Sequence, residues 1–172
     1  MPAARWSPIC VGGHGLVAVF FAMFEDCVDR AVVLDRTRQE NFDRILLAAA
    51  EAAPWTKGRI EYIEAKLHRA PDMIPDDAGL VAVHACGVKT DRVLDLAVAN
   101  NMPVAVMPCC HPVAQSKAPA AVKKALAHMA VDVDRTYRME AAGFHVKWSE
   151  IPERVTRMNR VVLARPRAAA QS

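Results

Sequence analysis

Short apolar runs recur along the chain between stretches of helical periodicity, the pattern of a parallel sheet covered by helices on both faces. The first run, Ser7 to Val11, ends in Gly12-Gly13-His14-Gly15. Leu16 to Phe24 reads as a helix, and Ala31 to Leu34 as a second buried strand closed by Asp35. Thr37 followed by Glu40 forms a capping-box pattern, and Phe42, Ile45, Leu46 and Ala49 share one helical face behind it. Arg59 to Ile63 alternates as a third strand, and Ala65 to Asp77, with two prolines, reads as an irregular crossover. Leu80 to His84 is the fourth strand, followed by a helix from Asp91 to Asn100 capped by Thr90 or Asp91. Pro103 to Met107 is the fifth strand. A loop containing proline leads into Pro119 to Ala142, a long helical region stopped by Gly143.

After Gly143 the pattern changes. Phe144 to Glu150 and Arg160 to Ala164 are two strands without a long helix between them, which predicts a closing antiparallel hairpin. Residues Pro166 to Ser172 are expected to form a disordered tail. With 172 residues, 53% of them hydrophobic, the chain is long enough for one buried core and short for two. One domain over residues 1–165 is the expectation.

Composition narrows the function classes. The apolar stretch from Pro8 to Phe24 is too short to span a bilayer and is interrupted by the glycines, so neither a membrane helix nor a signal peptide is expected. The net charge is +3 with no long basic run, which permits an RNA substrate without indicating one. Arg154, Arg157, Arg160, Arg165 and Arg167 could touch phosphates, although such a run is more often a solvated face. Five cysteines, an odd number without the spacing of a disulfide scaffold, fit a reduced, cytoplasmic chain.

Glycines after a buried strand let the backbone turn tightly and approach a ligand, while the following helix aims its free N–H groups at that ligand. About twenty residues on, Asp35 can accept hydrogen bonds from both ribose hydroxyls of a nucleoside. Gly13-His14-Gly15 with Ala18 also satisfies G-x-G-x-x-A, a weak dinucleotide fingerprint, and a tight turn without a ligand stays open as well. Glu64, closing the third strand, could receive an adenine amino group or be a solvated loop carboxylate.

The fourth strand runs into His84-Ala85-Cys86-Gly87-Val88-Lys89-Thr90-Asp91, and the fifth into Pro108-Cys109-Cys110-His111-Pro112. Were these strands neighbours, both segments would emerge at the carboxyl edge of the sheet, where open α/β sheets bind ligands. Zinc ligation is disfavoured, because there is no C-x-x-C pair and adjacent cysteines tend to diverge, so no metal site is expected. A nucleophilic Cys–His pair is a second reading, and simple packing a third, which suits Cys10 and Cys27 best.

The segments HACGVKTD and PCCH, together with IPERVTRMNRVVLA at Ile151 to Ala164, resemble a methyltransferase-domain family. That family includes eukaryotic tRNA acceptor-stem 2'-O-methyltransferases and glutathione-S-transferase C-terminal-domain-containing proteins. The resemblance implies an α/β, Rossmann-like class I methyltransferase fold with a mostly parallel seven-stranded sheet and an antiparallel C-terminal hairpin. It implies S-adenosylmethionine as cofactor, held by Gly12, Gly13, His14, Gly15, Asp35, Glu64 and His84. His84 is then the first candidate for general base and His111 the second, with Cys86, Cys109 and Cys110 shaping the pocket. The chain departs from the family's G-x-G-K-G pattern, with Ile9, Val11 and His14 standing for the acid, the first glycine and the lysine. The acceptor is expected to be RNA or a small molecule, and a second copy or a partner chain could supply substrate recognition. Two rivals remain: a nicotinamide-dependent oxidoreductase, and a non-catalytic or zinc-binding module on the same fold.

Overall fold

The computed structural model describes residues 6–75 and 78–168. By internal contacts the chain divides after Val83. In the first unit, β1 (Ser7–Val11) is followed by α1 (Leu16–Phe24), β2 (Ala31–Asp35), α2 (Phe42–Ala52), β3 (Ile60–Glu64) and β4 (Ala78–Val83). Strand β1 lies between parallel β2 and β4, with Ile9 opposite Val32 on one side and Leu80 on the other, and β2 pairs in parallel with β3. Every residue of β1 is buried, as are the first four of β2, which is why both read as unbroken apolar runs. Cys10, Ala18, Val28, Ala31, Val33, Phe42 and Val81 form the core on one side of these strands.

The second unit contains α3 (Val88–Ala99), β5 (Val104–Met107), α4 (Ala120–Leu126), α5 (His128–Ala141), β6 (Phe144–Glu150) and β7 (Arg160–Pro166). Strand β7 runs antiparallel to both β5 and β6. The strands form one seven-stranded sheet in the order β3-β2-β1-β4-β5-β7-β6, mostly parallel and closed by the antiparallel hairpin that the C-terminal pattern predicts.

The differences from expectation are local. Helix α2 starts at Phe42 behind Asn41, without a side-chain cap, so Thr37 and Glu40 form no capping box. The Thr37 carbonyl instead accepts the Tyr62 hydroxyl at 2.8 Å. Helix α3 starts at Val88 behind Gly87, placing Thr90 and Asp91 inside it rather than at its cap. Both side chains are engaged elsewhere: the Thr90 hydroxyl donates back to the Ala85 carbonyl, and Asp91 pairs with Arg135 and Arg138. The single helix expected from Pro119 to Ala142 is two, broken at Ala127 with φ 46° and ψ −119°. No glycine or proline marks that break. Strand β7 extends to Pro166, two residues beyond the strand read from the sequence, so the tail cannot begin there. Residues 76–77 of the crossover and 169–172 of the expected tail lie outside the described residues. No described helix is long and apolar enough to cross a membrane.

Candidate functional site

In the first unit the turn after β1 is built from left-handed glycines, with φ of 84° at Gly12, 87° at Gly13 and 89° at Gly15. Gly15 is also confined by space: a Cβ there would lie 2.8 Å from the Phe42 ring. At Gly13 a Cβ would meet nothing within 4 Å, so this part of the turn opens outward. The turn is tied to the end of β2. The Gly12 N–H donates to the Leu34 carbonyl at 2.9 Å, and the Gly13 N–H to Asp35 Oδ2 at 3.3 Å. Asp35 Oδ1 accepts the Arg36 N–H at 2.6 Å. Helix α1 begins directly behind Gly15, its first-turn N–H groups having no partner within the helix. Glu64 is exposed and accepts the Arg38 N–H at 3.0 Å, and His14 is exposed on the turn itself. Ile9 and Val11, the positions that depart from the G-x-G-K-G pattern, are 1% and 6% exposed and belong to the core.

In the second unit the loops after β4 and β5 meet. The His84 N–H donates to the Met107 carbonyl at 2.9 Å, and His84 itself adopts a left-handed φ of 56°, which histidine tolerates better than most residues. Its side chain is exposed. Across this junction the sulfurs of Cys86, Cys109 and Cys110 lie within 4.8 Å of one another. Cys109 and Cys110 do not diverge as expected for neighbours in sequence, their Sγ atoms being 3.7 Å apart. Hydrogen bonds from Cys86 and Cys109, with the Gly87 N–H, hold the Cys110 thiol below the usual range. Burial, then the adjacent thiols, pushes Cys109 up to about 12. Cys10 is instead an isolated core thiol, raised to about 12 by burial.

His111 turns away into a buried ionic network that sequence reading did not anticipate. Its side chain is 6% exposed, and Nε2 lies 3.1 Å from Asp132 Oδ2. Asp132, 0% exposed, also accepts Arg135 Nη1 at 3.2 Å and Arg160 Nη1 at 2.9 Å. Arg135 reaches on to Asp91 through Nε at 3.1 Å and Nη2 at 2.9 Å, and Arg138 joins at 3.0 Å. With Asp132 accepting from two guanidinium groups, the imidazole must donate from Nε2, which leaves Nδ1 as the acceptor in the neutral ring. That Nδ1 is buried and has no hydrogen-bond partner among the described residues. A signal for this network exists in the sequence, since Asp132, Arg135 and Met139 recur at helical spacing on the buried face of α5. A surface cleft of about 410 Å³ borders it, lined in part by Asp91, Arg135, Ser116 and Tyr137.

No protein-family model and no curated protein matches the chain. Solved structures do. The 16S rRNA (adenine(1408)-N(1))-methyltransferase (W203A mutant) of Catenulisporales acidiphilia superposes over 99% of this chain and 89% of its own, with TM-score 0.58 and 16% identity. The antibiotic-resistance methyltransferase Kmr matches over 97% of this chain and 89% of its own, at TM-score 0.56 and 16% identity. A precorrin-6y C5,15-methyltransferase of Geobacter metallireducens matches over 94% and 79%, at TM-score 0.51 and 11% identity. The chain has the class I methyltransferase fold.

Within that fold, the residues singled out from the sequence separate into groups. Gly12, Gly13, Gly15 and Asp35 are joined by hydrogen bonds or direct sequence, with His14 and Glu64 exposed near them in the first unit. Cys86, Cys109 and Cys110 are brought together, and His84 contributes its backbone to the loop that carries them. His111 is committed to Asp132.

Proposed function

We propose that the chain transfers a methyl group from S-adenosylmethionine to an acceptor in RNA or in a small molecule. The observation that carries this reading is the sheet order with antiparallel β7 inserted between β5 and β6, on a chain whose β1 turn is bonded to the β2 aspartate. A nicotinamide-binding domain normally continues after the fifth strand with a parallel crossover, so the sheet weighs against the oxidoreductase rival.

The residues of the first unit fit the donor. Gly13 faces open space where a side chain would intrude, and Asp35 is already oriented by the Gly13 and Arg36 N–H groups. A carboxylate is an acceptor of the kind that ribose hydroxyls require. Glu64 is suited to the adenine amino group. When bound, S-adenosylmethionine supplies a methyl group on a sulfonium, open to in-line displacement. The chain then has to align the acceptor and take its proton. For the proton we assign His84, exposed on the loop after β4, in preference to His111, whose ring is buried and committed to Asp132. The rRNA substrate named for one structural neighbour and the tRNA enzymes among the proteins resembling the His84–Asp91 and Pro108–His111 segments both support an RNA acceptor.

Calorimetry with S-adenosylhomocysteine tests the donor site: saturable binding to the wild type, weakened roughly tenfold or more in Asp35→Ala, is expected. Absence of binding to the folded wild type would overturn the reading. Labelled S-adenosylmethionine incubated with total RNA and, separately, with a low-mass metabolite fraction then identifies the acceptor class. His84→Asn, which keeps a residue that tolerates the left-handed backbone there, should abolish labelling while S-adenosylhomocysteine still binds.

A further inference from the structure

We propose that Cys86, Cys109 and Cys110 form a binding site for one zinc ion, held by three thiolates with a fourth position open to water or another ligand. The three sulfurs already lie within 4.8 Å of one another, and those of Cys109 and Cys110 are 3.7 Å apart. Two sulfurs on a tetrahedral zinc, each at about 2.3 Å, are separated by about 3.8 Å, so closing the third onto the ion needs a movement of no more than ~1 Å. The backbone prepares this arrangement. Cys86 immediately precedes Gly87 at the start of α3, Cys109 and Cys110 follow β5, and the His84 N–H to Met107 carbonyl bond ties the two loops together.

Packing does not account for the cluster. Cys86 and Cys110 are exposed and Cys109 is half-buried, unlike Cys10 in the core. Binding balances without a redox partner: three S–H protons leave to solvent, three sulfur–zinc bonds form, and no electron changes hands. Three thiolates and an open position are the donor set of a site that can accept a further ligand, rather than of a closed structural one. The proposal does not depend on methyl transfer.

The test uses the full chain, purified under reductant, loaded with zinc, desalted and measured by elemental analysis. One zinc per chain is expected, and cobalt(II) should give the near-ultraviolet thiolate-to-cobalt charge-transfer band. Cys86→Ser and Cys110→Ser alter exposed side chains and should fold as wild type by circular dichroism, yet weaken zinc against a chromophoric chelator by roughly tenfold or more. Cys27→Ser should retain the ion. Clearly less than one zinc on the reduced wild type, or equal loss in Cys27→Ser, would overturn the site.

Discussion

Replacing Arg135 with methionine removes the centre of the buried network while keeping an unbranched side chain of similar length. Arg135 is 2% exposed and makes three hydrogen bonds, two to Asp91 and one to Asp132. Without it, Asp132 stays fully buried with Arg160 as its one paired guanidinium and His111 as its other donor. Removing one member of a buried ion pair costs about 3–5 kcal/mol, a large part of the ~5–15 kcal/mol that a domain possesses. With a urea slope of about 2–3 kcal/mol/M, the unfolding midpoint should fall by more than ~1 M at pH 7. Arg167→Met, which removes an exposed pair with Glu140, serves as the control and should lose at most ~1 kcal/mol.

The same variant carries a pH signature. Burial acts to raise Asp91, but hydrogen bonding and charge from Arg135, followed by Arg138, outweigh it and hold the carboxyl below its usual range. Asp132 is lowered likewise, against its own burial, by His111 and then by Arg160 and Arg135. Carboxyls lowered in the folded state contribute stability that is complete above their unfolded value near 4 and is lost as pH falls through the folded values. The gap between wild type and Arg135→Met should therefore shrink below about pH 4. A variant within ~0.3 M urea of wild type at pH 7, or a gap unchanged in acid, would refute the coupling of these charges to folding.

The glycine turn gives a second comparison. Gly15→Ala combines a left-handed φ of 89° with a contact to Phe42 and should destabilise by ~2–5 kcal/mol, whereas Gly13→Ala bears only backbone strain of ~1–2 kcal/mol. Equal losses in thermal melts would refute the packing argument. Under the proposed donor site, Gly13→Ala should nonetheless weaken S-adenosylhomocysteine at least as much as Gly15→Ala, because its new methyl enters open space outside the turn. At Ala127, φ 46° with ψ −119° is a glycine conformation, so Ala127→Gly should stabilise by about 1 kcal/mol, raising Tm by ~2–4 °C. A lower Tm would mean that the break between α4 and α5 is not held in this form.

Burial on both faces of β1 and β2 writes continuous apolar runs, and the absence of a helix between β6 and β7 announces the hairpin; both were legible because local pattern and tertiary role coincide. Thr37 misled because α2 starts only at Phe42, and Thr90 and Asp91 because their side chains serve other partners, the Ala85 carbonyl and Arg135. The meeting of Cys86 with Cys109 and Cys110 was legible as well, because both segments end strands that the sheet order makes neighbours; that their sulfurs converge while His111 turns away depends on side-chain packing that the sequence does not show. The His111 network was least visible, because Asp132 and Arg135 lie on a face of α5 that polarity alone assigns to solvent, and their partners Asp91 and Arg160 come from α3 and β7.

Strand β7 is the last of the seven in sequence and yet lies inside the sheet, hydrogen-bonded to β5 on one side and β6 on the other. On the ribosome, therefore, β5 and β6 must wait with unpaired edges until residues 160–166 have emerged. Chain released by premature termination before Arg160 would present two open strand edges, a template for pairing with other chains. The order of strands thus makes the arrival of residues 160–166 the step that closes the facing edges of β5 and β6.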